Sequence, residues 1–176
     1  MKIMVPLADG FEEIEALTVV DVLRRAGIDV DTVGVVGSSI TGSHKIRVTT
    51  DKRLADVNPD DYDGIVLPGG PGYSVLARTS QIENILKKMN SKGKLVAAIC
   101  AAPSVLAKAG VLEGRRATIY PGMERELPYP RDERVVVDGN IITSQGPGTA
   151  MEFALKIVES LLGQEKTFQL KSKLVI

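Results

Sequence analysis

Apolar runs and helical periods alternate along the 176-residue chain. KIMVP (2–6) reads as a buried strand, and behind it apolar residues recur at helical spacing from about Glu12 to Ala26. Gly27 then takes the C-cap role that closes a helix. IDVDTVGV (28–35) predicts a second strand, and SSITGSHKIRVTTD (38–51) predicts a hairpin from two short β-like runs around Gly42. DGIVLPGG (63–70) predicts a buried strand ending in a glycine turn. Ser80 and Glu83 have the S-x-x-E spacing of a capping box, which predicts a helix with Ile82, Leu86 and Met89 on its inner side and Gly93 beyond its end. KLVAAIC (94–100) predicts a strand, and APSVLAKAG (102–110) a helix that tolerates Pro103 in its first turn. RATIYPG (116–122) contains a strand-like run, and ERVVVDGNIITS (133–144) two β runs joined at Asp138-Gly139-Asn140. GPGTAMEFALKIVESLLG (146–163) predicts a last long helix whose wet edge is Glu152, Lys156 and Glu159. Strands alternating with helices imply an α/β fold, a largely parallel sheet covered on both faces.

Composition narrows the function without naming it. Apolar residues are 44% and charged residues 25%, the balance of a globular chain of one domain's length, residues 1–176. Lys+Arg and Asp+Glu are both 22, and no dense basic stripe stands out, so no nucleic-acid partner is expected. No apolar run approaches the ~20 residues of a membrane span, so no membrane partner is expected. MKIMVPLADG reads as a first strand rather than a signal peptide. One cysteine precludes an internal disulfide and fits a reducing cytoplasm. With one Cys and one His, His44, a zinc site or other metal is not expected, nor any cofactor.

The lone cysteine, Cys100, sits where KLVAAI gives way to a helix. Ligands in such sheets bind at the carboxyl ends of strands. A residue on a tight strand-to-helix turn projects its side chain outward, and the helix N-terminus beyond favours an anion, which predicts a depressed thiol pKa. The alternative is a small buried apolar residue, the commoner use of a lone cysteine. LPGGPG (67–72) ends the neighbouring strand, and its glycines let backbone amides approach a ligand. With the Ala101 N–H, the Gly70 N–H is a candidate oxyanion hole. At about 100° per residue, Glu15 shares a face with Val19, Val22 and Ala26, while Glu13 falls on the opposite side. A carboxyl on an apolar face should be buried with a raised pKa and be able to donate a hydrogen bond to a thiolate. Complementing the positive helix N-terminus suffices for Glu12 and Glu13 and leaves the direction of Glu15 unexplained.

Together, ADGFEEIEA, VLPGGPG, AAICAAP and ITSQGPGTAMEFAL occur in the order found in the ThiJ/PfpI superfamily. The chain resembles most its branch of small, dimeric, parkinsonism-associated protein-like members, over almost its whole length. The resemblance implies a flavodoxin-like three-layer α/β sandwich, related to class I glutamine amidotransferases, and a homodimer. It implies a nucleophile at Cys100, a carboxyl partner at Glu15, and backbone donors at Gly70 and Ala101. Ala101 stands where the protease-like branch has a histidine after the cysteine, which argues against a protease. No histidine follows Cys100, so an amidotransferase triad is absent. Active relatives often carry a histidine just before the proline of the segment matching ATIYPG, where this chain has Tyr120. A tyrosine hydroxyl donates a hydrogen bond but, at an ordinary pKa of ~10, is a poor base. His44 lies in the hairpin, which in the family is near the dimer interface and the site mouth; it is either an anion-binding or catalytic group or a solvent-facing hairpin residue. The activity implied is a glutathione-independent glyoxalase or deglycase acting on small dicarbonyls or glycated protein. The alternative is an oxidative-stress sensor or chaperone-like protein that uses Cys100 oxidation.

Overall fold

The computed structural model describes all 176 residues. Strands β1 (Lys2–Leu7), β2 (Asp29–Gly34), β5 (Lys52–Arg53), β6 (Gly64–Leu67), β7 (Leu95–Ile99), β8 (Val135–Asp138) and β9 (Ile141–Ser144) form one sheet in the order β5-β2-β1-β6-β7-β9-β8. Every neighbouring pair is parallel except β8 and β9, which form a hairpin across the two-residue turn Gly139-Asn140. The helices are α1 (Glu13–Arg25), α2 (Tyr73–Leu76), α3 (Ser80–Ser91), α4 (Pro103–Lys108) and α5 (Ala150–Leu174). A separate antiparallel pair, β3 (Ser39–Thr41) and β4 (Arg47–Thr49), is the expected hairpin.

Side-chain alternation along the strands divides the interior into two layers of core. Ile3, Val5 and Leu7 of β1, with Ala97 and Ile99 of β7, pack against Val19, Leu23, Phe153 and Ile157 of α1 and α5. Met4, Ile65, Val96 and Ala98 face the other way, onto Ile82, Leu86, Val105 and Leu106 of α3 and α4. Helices therefore cover both faces, as a parallel sheet requires, and the flavodoxin-like three-layer sandwich is the observed fold. None of the helices is long and apolar enough to cross a membrane.

Local structure departs from the sequence expectations at four places. Thr79, in extended conformation, is the residue before α3, and no side chain caps that helix. The Thr79 hydroxyl donates to the Val75 carbonyl instead, and Glu83 pairs with Lys87, so no capping box forms at Ser80. Residues 116–119 make no strand beyond a single bridge between Ala117 and Pro130. The last helix does not end at Gly163. That residue breaks the helical path (φ 85°, ψ 173°), and a second arm runs on to Leu174, burying Thr167 and Leu170. The two-residue edge strand β5, too short to leave a periodic signal, is the fourth.

Candidate active site

The carboxyl end of β7 hands the chain to a turn, and Cys100 is the residue that makes it. Its φ is +63°, a left-handed conformation that side-chain-bearing residues hold only when their surroundings impose it. Two hydrogen bonds do so: the Cys100 N–H donates to the Ser144 carbonyl at 2.9 Å, and the Cys100 carbonyl accepts from the Tyr120 N–H at 2.9 Å. The thiol is thereby fixed by backbone on both sides and stands half-buried at the sheet edge.

Glu15 reaches the same place from α1. It is fully buried, on the face it shares with Val19, Val22 and Ala26. Its Oε2 accepts the Gly69 N–H at 2.8 Å, and its Oε1 is buried with no hydrogen-bond partner. The carboxyl lies close enough to the thiol for each to act on the other's ionisation. Only glycine fits at 69: a Cβ there would lie 2.6 Å from Cys100 Cβ and 2.7 Å from Glu15 Oε2. Gly70 has φ +76°, and a Cβ on it would come within 2.5 Å of the Glu12 nitrogen. The Gly70 and Ala101 N–H groups both lie near enough to the Cys100 sulfur to favour its thiolate. The structure thus brings Cys100, Glu15, Gly70 and Ala101 together.

Burial pushes the Glu15 carboxyl from its ordinary 4.5 up to about 7, with the Gly69 amide and the thiol pulling back and the Glu12 charge adding to the rise. The thiol is not depressed as its position suggested. Burial first, and then the neighbouring Glu15 charge, push it from 9.0 up to about 12, against the pull of the Gly70 and Ala101 amides. Two amides and a six-residue helix do not outweigh a desolvated sulfur facing a carboxylate. The carboxyl therefore gives up its proton before the thiol does, and ionised Glu15 beside a protonated thiol is a base next to a nucleophile.

The other side of the same helical turn holds a second cluster. Glu13 is buried, not on an outer face, because the β3–β4 hairpin folds over it. Its Oε1 accepts the His44 and Ile46 N–H groups at 2.7 and 3.4 Å; its Oε2 meets His44 Nδ1 at 3.1 Å and the Ser43 hydroxyl at 3.2 Å. Burial opposes ionisation here too, yet the residue's own backbone N–H, then the His44 imidazole and the His44 and Ile46 amides, hold the carboxyl down at about 2. His44, its side chain 70% exposed, has its pKa raised by the hydrogen bond to Glu13 and then by the Glu12 charge. His44, Glu12 and Glu13 offer donor atoms within 4.8 Å of one another, the only such group with metal-ligand spacing. The hairpin amides, Ser43 and the imidazole already satisfy Glu13, so the cluster is accounted for without an ion.

Tyr120 borders the site on its far side. Its ring is 47% exposed and rests on Gly146, where a Cβ would lie 3.4 Å from Cδ2. Five surface grooves indent the fold, and none is lined by Cys100, Glu15, Gly70 or Tyr120. The thiol is half-buried at the sheet edge. Sequence reasoning missed Gly69, the donor that anchors Glu15, although the PGG turn was its visible sign. It also missed Ser144 and Glu13, whose roles depend on partners far along the chain.

The chain is similar to known proteins over almost its whole length. The model of the DJ-1/PfpI family matches residues 1–160. The chain is 46% identical to protein dj-1beta of Drosophila melanogaster, covering 98% of this chain and 96% of that one. It is 41% identical to a glutathione-independent glyoxalase of Caenorhabditis elegans (99% and 95% covered) and 37% identical to a deglycase of Pyrococcus abyssi (92% and 99%). The solved structure of oxidized Toxoplasma gondii DJ-1 superposes with a TM-score of 0.96 at 38% identity, covering 99% of this chain and 97% of that one.

Proposed function

The chain belongs to the DJ-1/PfpI family, and on that premise we propose that it is a cysteine-dependent, glutathione-independent glyoxalase or deglycase acting on methylglyoxal-type dicarbonyls or their protein adducts. The observation that carries the reading is the pairing of a half-buried thiol with a buried carboxyl that ionises near neutrality. Ionised Glu15 takes the thiol proton as the sulfur adds to the aldehyde carbon; the C=O electron pair moves to oxygen, which accepts hydrogen bonds from the Gly70 and Ala101 amides and then the proton. The product is a hemithioacetal. Glu15 next removes the hydrogen on that carbon as a proton, giving an enediolate; the hydroxyl proton passes from the first oxygen to the second, and Glu15 returns its proton to the adjacent carbon. This leaves a lactoyl thioester on Cys100, which water hydrolyses to lactate and free thiol. Tyr120 can orient a carbonyl oxygen through its hydroxyl, but the proton shuttle falls to Glu15.

The test is conversion of methylglyoxal to lactate by the wild-type chain and by Cys100→Ser. Steady lactate production that vanishes in the variant supports the reading; none from wild-type protein of verified reduced mass overturns it. A second reading is favoured by the two amides near the sulfur, because they equally suit an oxidised sulfur acid. In that reading Cys100 is a redox sensor, its oxidised form held by the amides and by protonated Glu15. Intact-mass gain of oxygen under mild peroxide, without lactate production, would separate the two. Both readings include a homodimer, for which Ile14 and Ile46, each more than half exposed, are candidate interface residues, and light scattering at the mass of one chain would count against it.

A further inference from the structure

The two flanks of Cys100 differ in chemistry. In the sheet, β7 lies between β6 and β9. The β6 flank brings Gly69, Gly70 and the Glu15 carboxyl, with the Glu12 charge behind it. The β9 flank brings Ser144, which pins the Cys100 N–H, and Gly146, which seats the Tyr120 ring. Tyr120 is itself bonded to the Cys100 carbonyl through its N–H, so its backbone is held beside that of Cys100 while its ring rests on Gly146. A tyrosine nearly half exposed therefore stands at a fixed place on the flank of a half-buried thiol.

A carbonyl compound added at this sulfur directs its oxygen toward the Gly70 and Ala101 amides and leaves its substituent outside. None of the grooves of the single chain is lined by Cys100 or Tyr120, so the substituent meets the side chains that flank the thiol. The surface it meets is carboxyl on one flank and aromatic on the other. We propose that the Tyr120 ring, seated on Gly146, is a stacking platform that makes this site select dicarbonyls and thiol-reactive ligands bearing a planar aryl substituent over those bearing a methyl group. As a statement about turnover this rests on the glyoxalase reading above; as a statement about what stacks beside Cys100 it stands alone. Offset stacking of two aromatic groups corresponds to roughly two- to tenfold in rate or affinity.

Because Cys100 is the only cysteine, its alkylation reads this directly. The rates with N-phenyl-iodoacetamide and iodoacetamide are compared, each normalised to the same reagent's rate with free cysteine. The expected preference for the phenyl reagent is roughly two- to tenfold in wild type, retained in Tyr120→Phe, and absent in Tyr120→Ala and Tyr120→Leu. The kcat/KM ratio of phenylglyoxal to methylglyoxal should follow the same order. Equal normalised rates in wild type, or a preference that survives both Tyr120→Ala and Tyr120→Leu, overturn the platform. So does a loss in Tyr120→Phe equal to that in Tyr120→Ala, since the hydroxyl and not the ring would then be responsible. If the alkylation preference holds while wild type turns over neither dicarbonyl, the platform stands and the glyoxalase reading falls.

Discussion

Glu13 and Glu15 are two residues apart in the first turn of α1, both withdrawn from water, and their carboxyls are driven in opposite directions. Glu13 lies under the hairpin with the His44 and Ile46 amides, the imidazole and the Ser43 hydroxyl around it, and stays ionised down to about pH 2. Glu15 lies under the glycine turn with one amide donor and an oxygen left without nitrogen or oxygen donors, and holds its proton up to about pH 7. Burial raises both, and far more for Glu15, which lies deeper; the donors supplied to the Glu13 carboxylate outweigh it, and those supplied to Glu15 do not. A fully solvated-by-protein carboxylate is a fastener; a half-solvated one can exchange a proton at neutral pH.

The sharpest way to break this contrast is Glu15→Gln, which keeps the shape and removes the proton. Lactate production from methylglyoxal should fall about 10²- to 10⁴-fold. In wild type, kcat/KM should rise with pH through about 7 as Glu15 ionises, and the variant's residual rate should lack that inflection. Stability gives the second readout. The folded carboxyl holds its proton more tightly than the unfolded one, so the native state loses stability as pH rises from 4.5 to about 7. The full penalty is about 3 kcal/mol. Urea unfolding of Glu15→Gln should therefore show a gain over wild type at pH 8 that shrinks towards pH 5; no pH dependence of the difference would refute the shifted carboxyl.

Two glycine substitutions address one flank each. Gly69→Ala places a methyl 2.6 Å from Cys100 Cβ, and Gly42→Ala places one 2.2 Å from Glu13 Oε1. Each should cost about 1–3 kcal/mol by overpacking. Gly69→Ala should also lose most turnover and slow Cys100 alkylation, whereas folded Gly42→Ala should keep turnover within a few-fold of wild type. Equal loss of turnover in both would mean that the two clusters act as one. The smallest effect belongs to His44→Ala. Its pKa is raised by Glu13, so its contribution is complete at pH 5 to 6 and fades as pH rises through the raised value. The Tm deficit of the variant should be largest at acid pH and close at alkaline pH.

The sequence carried most of the fold and half of this contrast. Strand–helix alternation, the hairpin, the placement of Cys100 and the inward face of Glu15 are all periodicities or local junctions, and all are observed. Glu13 was invisible because a helical period describes one helix against one core. The β3–β4 hairpin covers α1 from the other side, and its amides come from residues 31 and 33 positions away. The thiol pKa was misjudged for a related reason: the junction suggested an electropositive turn, but the Glu15 charge facing the sulfur comes from another element. At Ser80 the motif was right in spacing and wrong in use, because the preceding Thr79 already holds the extended conformation of a helix start.

The double backbone tether of Cys100 has a consequence for the life of the chain before it is finished. One tether runs to Tyr120 and the other to Ser144, both downstream of the thiol, while Glu15 and the glycine turn lie upstream. During synthesis the sulfur emerges with its carboxyl partner already made and its supports still to come. Until β9 has left the ribosome and paired with β7, nothing imposes the left-handed turn, and Cys100 is an ordinary flexible thiol with the ordinary reactivity of free cysteine. The last strand of the sheet is thus also the maturation step of the thiol, and a chain truncated before Ser144 would carry every one of Cys100, Glu15, Gly70 and Ala101 and still have no site.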